Sequence, residues 1–169
     1  AEPTITFTGA TGTAPYTFTY TINGGTPQTV TSTGNTATIT APTGTAGTFE
    51  YVLTNVQDAS STACGNVVPS TQTTTIIVNP LPTASIAGTI DVCQDDAEPT
   101  ITFTGADGTA PYTFTYNING GTAQTVTSTG DEATVTAPTG TDGTFIYTLI
   151  SVADASATVC NNAVTDQSA

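Results

Sequence analysis

The stretch Ala97–Ala106, AEPTITFTGA, decides the fold. Within it Ile101 and Phe103 alternate with Thr100, Thr102 and Thr104, the period-two pattern of a strand with one buried face. The same ten letters stand at Ala1–Ala10, an offset of 96 residues. Tyr16, Tyr51 and Cys64 then fall on Tyr112, Tyr147 and Cys160. Over the 66 aligned pairs from Ala1/Ala97 to Asn66/Asn162 there are 15 differences, so the chain is read as a tandem duplication of one folding unit.

Outward from that strand the alternation continues. Tyr112–Ile118 places Phe114 and Tyr116 on one face, and Asn119-Gly120-Gly121 supplies the positive-φ residues of a tight hairpin into Gln124–Thr127. Ala133–Ala137 forms the next short strand. Pro138–Gly143 is a turn, and Thr144–Val152 carries Phe145, Tyr147 and Leu149 on one face. Thr fills 44 of the 169 positions, and the helix formers Lys, Arg and Met are absent. Branched side chains suit a pleated, half-buried surface, and helical spacing is nowhere sustained. Strand signals recur at the spacing of about 8–12 residues expected of an antiparallel sandwich. The predicted fold class is all-β, as tandem immunoglobulin-like antiparallel β-sandwiches.

One segment is not duplicated. Thr73–Asp96 (TTTIIVNPLPTASIAGTIDVCQDD) occurs once, and reads as a last strand, a Pro-punctuated linker and a first strand. The expected domains are residues 1–80, lacking a first strand, and 81–169, lacking a last strand. Missing strands leave open sheet edges, so the expectation is a window on a longer array or a subunit that borrows strands.

Thirteen Asp and Glu face no Lys, Arg or His, for a formal charge of −13. Nucleic-acid phosphates need basic side chains to neutralise them, and anionic lipid needs a polybasic patch, so both partners are excluded. Catalysis by His or Lys, Ser-His-Asp or Cys-His nucleophiles and His-rich metal sites are equally closed. No apolar run approaches a membrane span, Ile76-Ile77-Val78 being the longest aliphatic run, and membrane insertion is not expected. The reading is therefore of a protein that is not an enzyme.

Three further segments carry a resemblance: PYTFTYTINGG (Pro15–Gly25), APTGTAGTFEY (Ala41–Tyr51) and NPLPTASIAGTIDVCQDDAEPTITFTG (Asn79–Gly105). They resemble the tandem Ig-like repeats of giant cell-surface adhesin and filament proteins of Bacteroidetes-type gliding bacteria. The resemblance covers essentially the whole chain. It implies an extracellular, cell-surface location and a non-catalytic stalk or spacer for adhesion or gliding. Its partners would be neighbouring repeats or copies of the same protein in a fibre. A carbohydrate- or protein-binding module that meets a surface glycan or protein receptor is the alternative, with Tyr20 or Tyr116 lining the site. A strand-exchanging, pilus-like subunit is a third reading. Tyr51 and Tyr147 sit where Ig-like domains place a tyrosine corner, or else are packing aromatics.

In an exported protein the cysteines should be oxidised. Cys93 and Cys160, 67 positions apart, are the available pair, and closing that loop would contribute about 4 kcal/mol. Cys64 would then pair with a cysteine outside the chain. In strict Ig polarity the two loops lie at opposite ends, which leaves open a bond from Cys93 to a following repeat, or free thiols. Asp95, Asp96 and Glu98, with Asp91 nearby and Asp154 after the long strand, are candidate calcium ligands, no other cofactor being expected. A solvated acidic loop is the competing reading, because D-x-D-x-D spacing is missing. Asp107, Asp131, Glu132 and Asp142 are replaced by Thr11, Asn35, Thr36 and Ala46 in the first copy, so no site common to both repeats uses them. A Thr–Gln ester at Gln28 or Gln124 is formally open.

Overall fold

The structure is a computed structural model and describes residues 2–169. The chain divides into two compact units, Ala1–Val78 and Asn79–Ala169. The boundary lies within two residues of the expected one, and the Asn79 side chain donates to Thr158 Oγ1 at 2.8 Å within the second unit.

Unit 1 holds β1 (Thr4–Thr8), β2 (Thr17–Ile22), β3 (Gln28–Thr31), β4 (Thr36–Thr40), β5 (Gly47–Gln57), β6 (Gly65–Val67) and β7 (Thr73–Val78). β1 and β4 form one antiparallel sheet, with Phe7 opposite Ala37. The other sheet runs β3-β2-β5, and β6 and β7 share the far edge of β5 in succession. Ile5, Phe7 and Ala37 of the small sheet pack onto Phe18, Tyr20 and Tyr51 of the large one. Alternation explains which residues face inward: β1 is exposed at its three threonines and buried at Ile5 and Phe7. Phe7 stacks on Phe18 at 5.6 Å between ring centres and on Tyr20 at 5.2 Å. Burying one such ring contributes about 1.5–3 kcal/mol.

Unit 2 repeats this plan with β8 (Thr83–Ala87), β9 (Thr100–Ala106), β10 (Thr113–Ile118), β11 (Gln124–Thr127), β12 (Glu132–Thr136), β13 (Tyr147–Ala153) and β14 (Asn161–Ala163). Its sheets are β12-β9-β8 and β11-β10-β13-β14, every pairing antiparallel. The chain is all-β, two immunoglobulin-like sandwiches in tandem. The hairpin forms as its sequence requires: Asn119 (φ 51°) and Gly120 (φ 68°) are both left-handed, as are Asn23 and Gly24 in unit 1.

The units differ at the edges built from the unduplicated segment. β9 is flanked by β8, whereas among the described residues β1 pairs with β4 alone. The long strand of unit 2 starts at Tyr147, three residues later than the expected Thr144. In unit 1 the equivalent strand begins at Gly47 because β7 pairs with it from Gly47 to Val52. In unit 2 that edge receives only a short return, with Tyr147 N–H donating to Ala169 and Leu149 N–H to Gln167.

Candidate functional site

The aspartates that recur in both copies are Asp58 and Asp154, each just after a long strand, and the structure uses them in one way. Asp154 Oδ1 accepts the Ser156 hydroxyl at 2.8 Å and the Cys160 N–H at 2.8 Å, while Oδ2 accepts the Thr109 N–H at 3.1 Å. Asp58 repeats the set with Ser60 Oγ (2.7 Å), Cys64 N–H (2.9 Å) and Thr13 N–H (3.1 Å). Each carboxylate thus ties two loops together at one end of its sandwich. The Ser60 hydroxyl, then the Thr13 N–H, hold the Asp58 carboxyl below the usual carboxylate range. At Asp154 desolvation pushes upward, but the donors from Ser156, Thr109 and Cys160 together outweigh it and the net shift is downward.

Asp154 does not join Asp95, Asp96 and Glu98, which corrects that grouping. The 93–96 loop sits beside the turn after β12: Asp95 N–H donates to Thr139, the Thr139 hydroxyl donates to the Asp96 carbonyl at 2.7 Å, and Asp96 Oδ2 accepts the Cys93 N–H at 3.0 Å. This is the Thr100 end of β9, whereas Asp154 bonds to Thr109, beyond its Ala106 end. A seven-residue strand spans about 20 Å. Among the described residues no group of three or more His, Cys, Asp or Glu is arranged to hold a metal ion.

The same geometry corrects the cysteine pairing. Cys64, Cys93 and Cys160 are all free thiols. Cys93 lies at the Thr100 end with the Asp96 loop, and Cys160 at the opposite end against Asp154. A disulfide needs Cα atoms within about 7 Å, far less than one strand length. The Cys93–Cys160 bond is therefore not formed within the unit.

Tyr51 and Tyr147 are buried in the cores at 3% and 2% exposure. Tyr147 Oη donates to the Thr136 carbonyl at 3.4 Å, across to the neighbouring sheet. Burial, followed by the neighbouring Tyr20 and Tyr116 respectively, raises both phenols. Sequence reading missed the tyrosines that pin a local corner, Tyr16 and Tyr112. Their hydroxyls accept the N–H of Gly12 and Gly108, four positions upstream, at 3.0 and 3.2 Å. The available signal was the G-x-x-x-Y spacing present in both copies.

Tyr20 and Tyr116 form no exposed platform. Each is 6% exposed, and their hydroxyls donate to the side-chain oxygens of Gln28 and Gln124 at 3.1 and 3.3 Å. Comparison with family models, with curated proteins and with solved structures finds no match to this chain.

Proposed function

We propose that this chain is a non-catalytic structural repeat of an extracellular filament or giant surface adhesin, a stalk or spacer for adhesion or gliding. One observation carries the reading: the aspartate, serine and corner tyrosine that both copies retain make the same bonds in each, and those bonds hold loops and corners. Asp58 and Asp154 tie loops together, Ser32 and Ser128 bond the Tyr16 and Tyr112 backbones, and the retained aromatics fill the cores. A duplicated catalytic or ligand-binding module would be expected to keep a reactive constellation in both copies. The resemblance to surface-adhesin repeats supplies the cell-surface part of the reading. The absence of Lys and Arg fits it, since trypsin-like proteases have no cleavage residue in the chain.

Immunogold labelling of intact source cells with antibody raised against the chain tests the proposal. Label along surface fibres is the expected result. Label confined to the cell interior overturns it.

A further inference from the structure

Unit 2 displays a strand-binding groove with its occupant in place, and unit 1 displays the same groove open. In unit 2, β8 lies antiparallel along β9, with Ile86 opposite Phe103 and Thr83 opposite Ala106. Ile86 enters the core at 9% exposure, and the preceding Pro82 is fully buried. The Pro82 carbonyl accepts the Asn162 side-chain amide at 3.0 Å, and the Thr83 hydroxyl donates to Asp107 at 2.7 Å. Beneath this segment Leu149 and Val152 are sealed at 1% and 0% exposure.

The counterparts in unit 1 are present and uncovered. Among the described residues no strand pairs with the outer edge of β1, and Thr6 and Thr8 are exposed where Thr102 and Thr104 are half-buried. Leu53 and Val56, matching Leu149 and Val152, are only half-buried. They line a cavity of about 550 Å³ together with Gly12 and Asn66, the counterparts of the Gly108 that Pro82 approaches and the Asn162 that binds it.

We propose that this groove binds an extended segment of the Asn79–Ala87 kind (NPLPTASIA), supplied by the linker and first strand of a neighbouring repeat. The duplication fixes the register: the incoming Ile lies opposite Phe7, the incoming Thr opposite Ala10, and the second Pro fills the cavity over Val56 while its carbonyl meets Asn66. Backbone pairing along the β1 edge gives affinity, and the Pro and Ile pockets give specificity. Asp107 is Thr11 in unit 1, so the hydroxyl of the incoming Thr meets no carboxylate there and that one hydrogen bond is not made. The groove is defined by the difference between the two units, whatever the location of the protein.

The probe is a synthetic peptide, NPLPTASIAGTI, titrated into the full chain and followed by calorimetry and amide hydrogen exchange. Expected are one peptide per chain and slowed exchange at Thr4–Thr8, Leu53 and Val56, both abolished by Ile86→Asp in the peptide. Thr11→Asp should tighten binding by about two- to tenfold, the effect of one restored solvent-exposed hydrogen bond. Because an intramolecular segment has a far higher effective concentration, a second form carries Asn79–Asp96 fused before Ala1, and its unit 1 should melt higher than in the unfused chain. The proposal is overturned if the fusion leaves unit 1 unchanged. It is equally overturned if peptide protection maps to β7 or β13, or if chains self-associate along β1 and exclude the peptide. None of these outcomes alters the immunogold result, so the two readings fail separately.

Discussion

Ser128 Oγ accepts the backbone N–H of Tyr112 at 2.6 Å and donates to the Gly130 carbonyl at 2.7 Å, and Ser32 repeats both bonds with Tyr16 and Gly34 at the same distances. Both serines are 6% exposed, so this hydroxyl is the means by which a buried N–H is satisfied at the start of the central strand. Ser128→Ala leaves that N–H without its acceptor. A loss of about 1–3 kcal/mol is expected, the cost of one unsatisfied buried donor, read from urea unfolding of the chain. Ser128→Thr retains the hydroxyl and should lose less.

Gly105 lies against the ring of Tyr112. A Cβ there would stand 2.5 Å from the ring, and Gly9 meets Tyr16 in the same way. Since the Tyr112 hydroxyl is fixed by Gly108 N–H, the ring cannot move aside without breaking its corner. Gly105→Ala should destabilise unit 2 by about 1–3 kcal/mol or more through overpacking. Near-ultraviolet circular dichroism during thermal unfolding should show the unit 2 tyrosines released earlier, while Gly105→Ala leaves unit 1 unchanged.

Asp58 and Asp154 have folded pKa values held below the ordinary carboxylate value of about 4. The unfolded chain therefore binds more protons than the folded chain in acid. Their contribution is complete at neutral pH and is lost as pH falls below about 4. The informative quantity is the difference between variant and wild type. Asp154→Asn should lower the melting temperature at pH 7 and leave a smaller deficit at pH 3.

Cys93 and Cys160 occupy opposite ends of unit 2, and both are free. Mild oxidation of dilute protein should yield no Cys93–Cys160 crosslink in peptide mass mapping. Cys64 and Cys93, both exposed, should react with a thiol reagent faster than the half-buried Cys160. An intrachain crosslink formed without loss of fold would contradict the strand-length separation.

Much of the fold was legible because alternation is a local property. Ile101 and Phe103 point inward for the same reason that Thr100 and Thr102 do not, and Asn119-Gly120 takes positive φ in a tight hairpin at little steric cost. The candidate site was legible in kind and not in arrangement. Asp154 and Asp95 are equally acidic in the sequence, yet one strand length separates their loops. Tyr20 and Tyr116 read as available for a ligand, but the pleat turns both into the core against Phe7 and Phe103.

The sequence by itself determined the composition of the unit: a duplicated, all-β sandwich without a single basic side chain, its strands marked by the pleat and its hairpins by Asn-Gly. Tertiary structure alone decided which groups meet. Whether Cys93 reaches Cys160, whether Asp154 is a cap or a ligand, and whether an edge is covered depend on which end of a strand each loop occupies. That is a long-range property, set by antiparallel pairing between residues far apart in the chain, and no local pattern encodes it. Thus nearly identical strands β1 and β9 differ in one respect only the fold reveals: Phe103 has Ile86 opposite it, and among the described residues no strand stands opposite Phe7 on that edge.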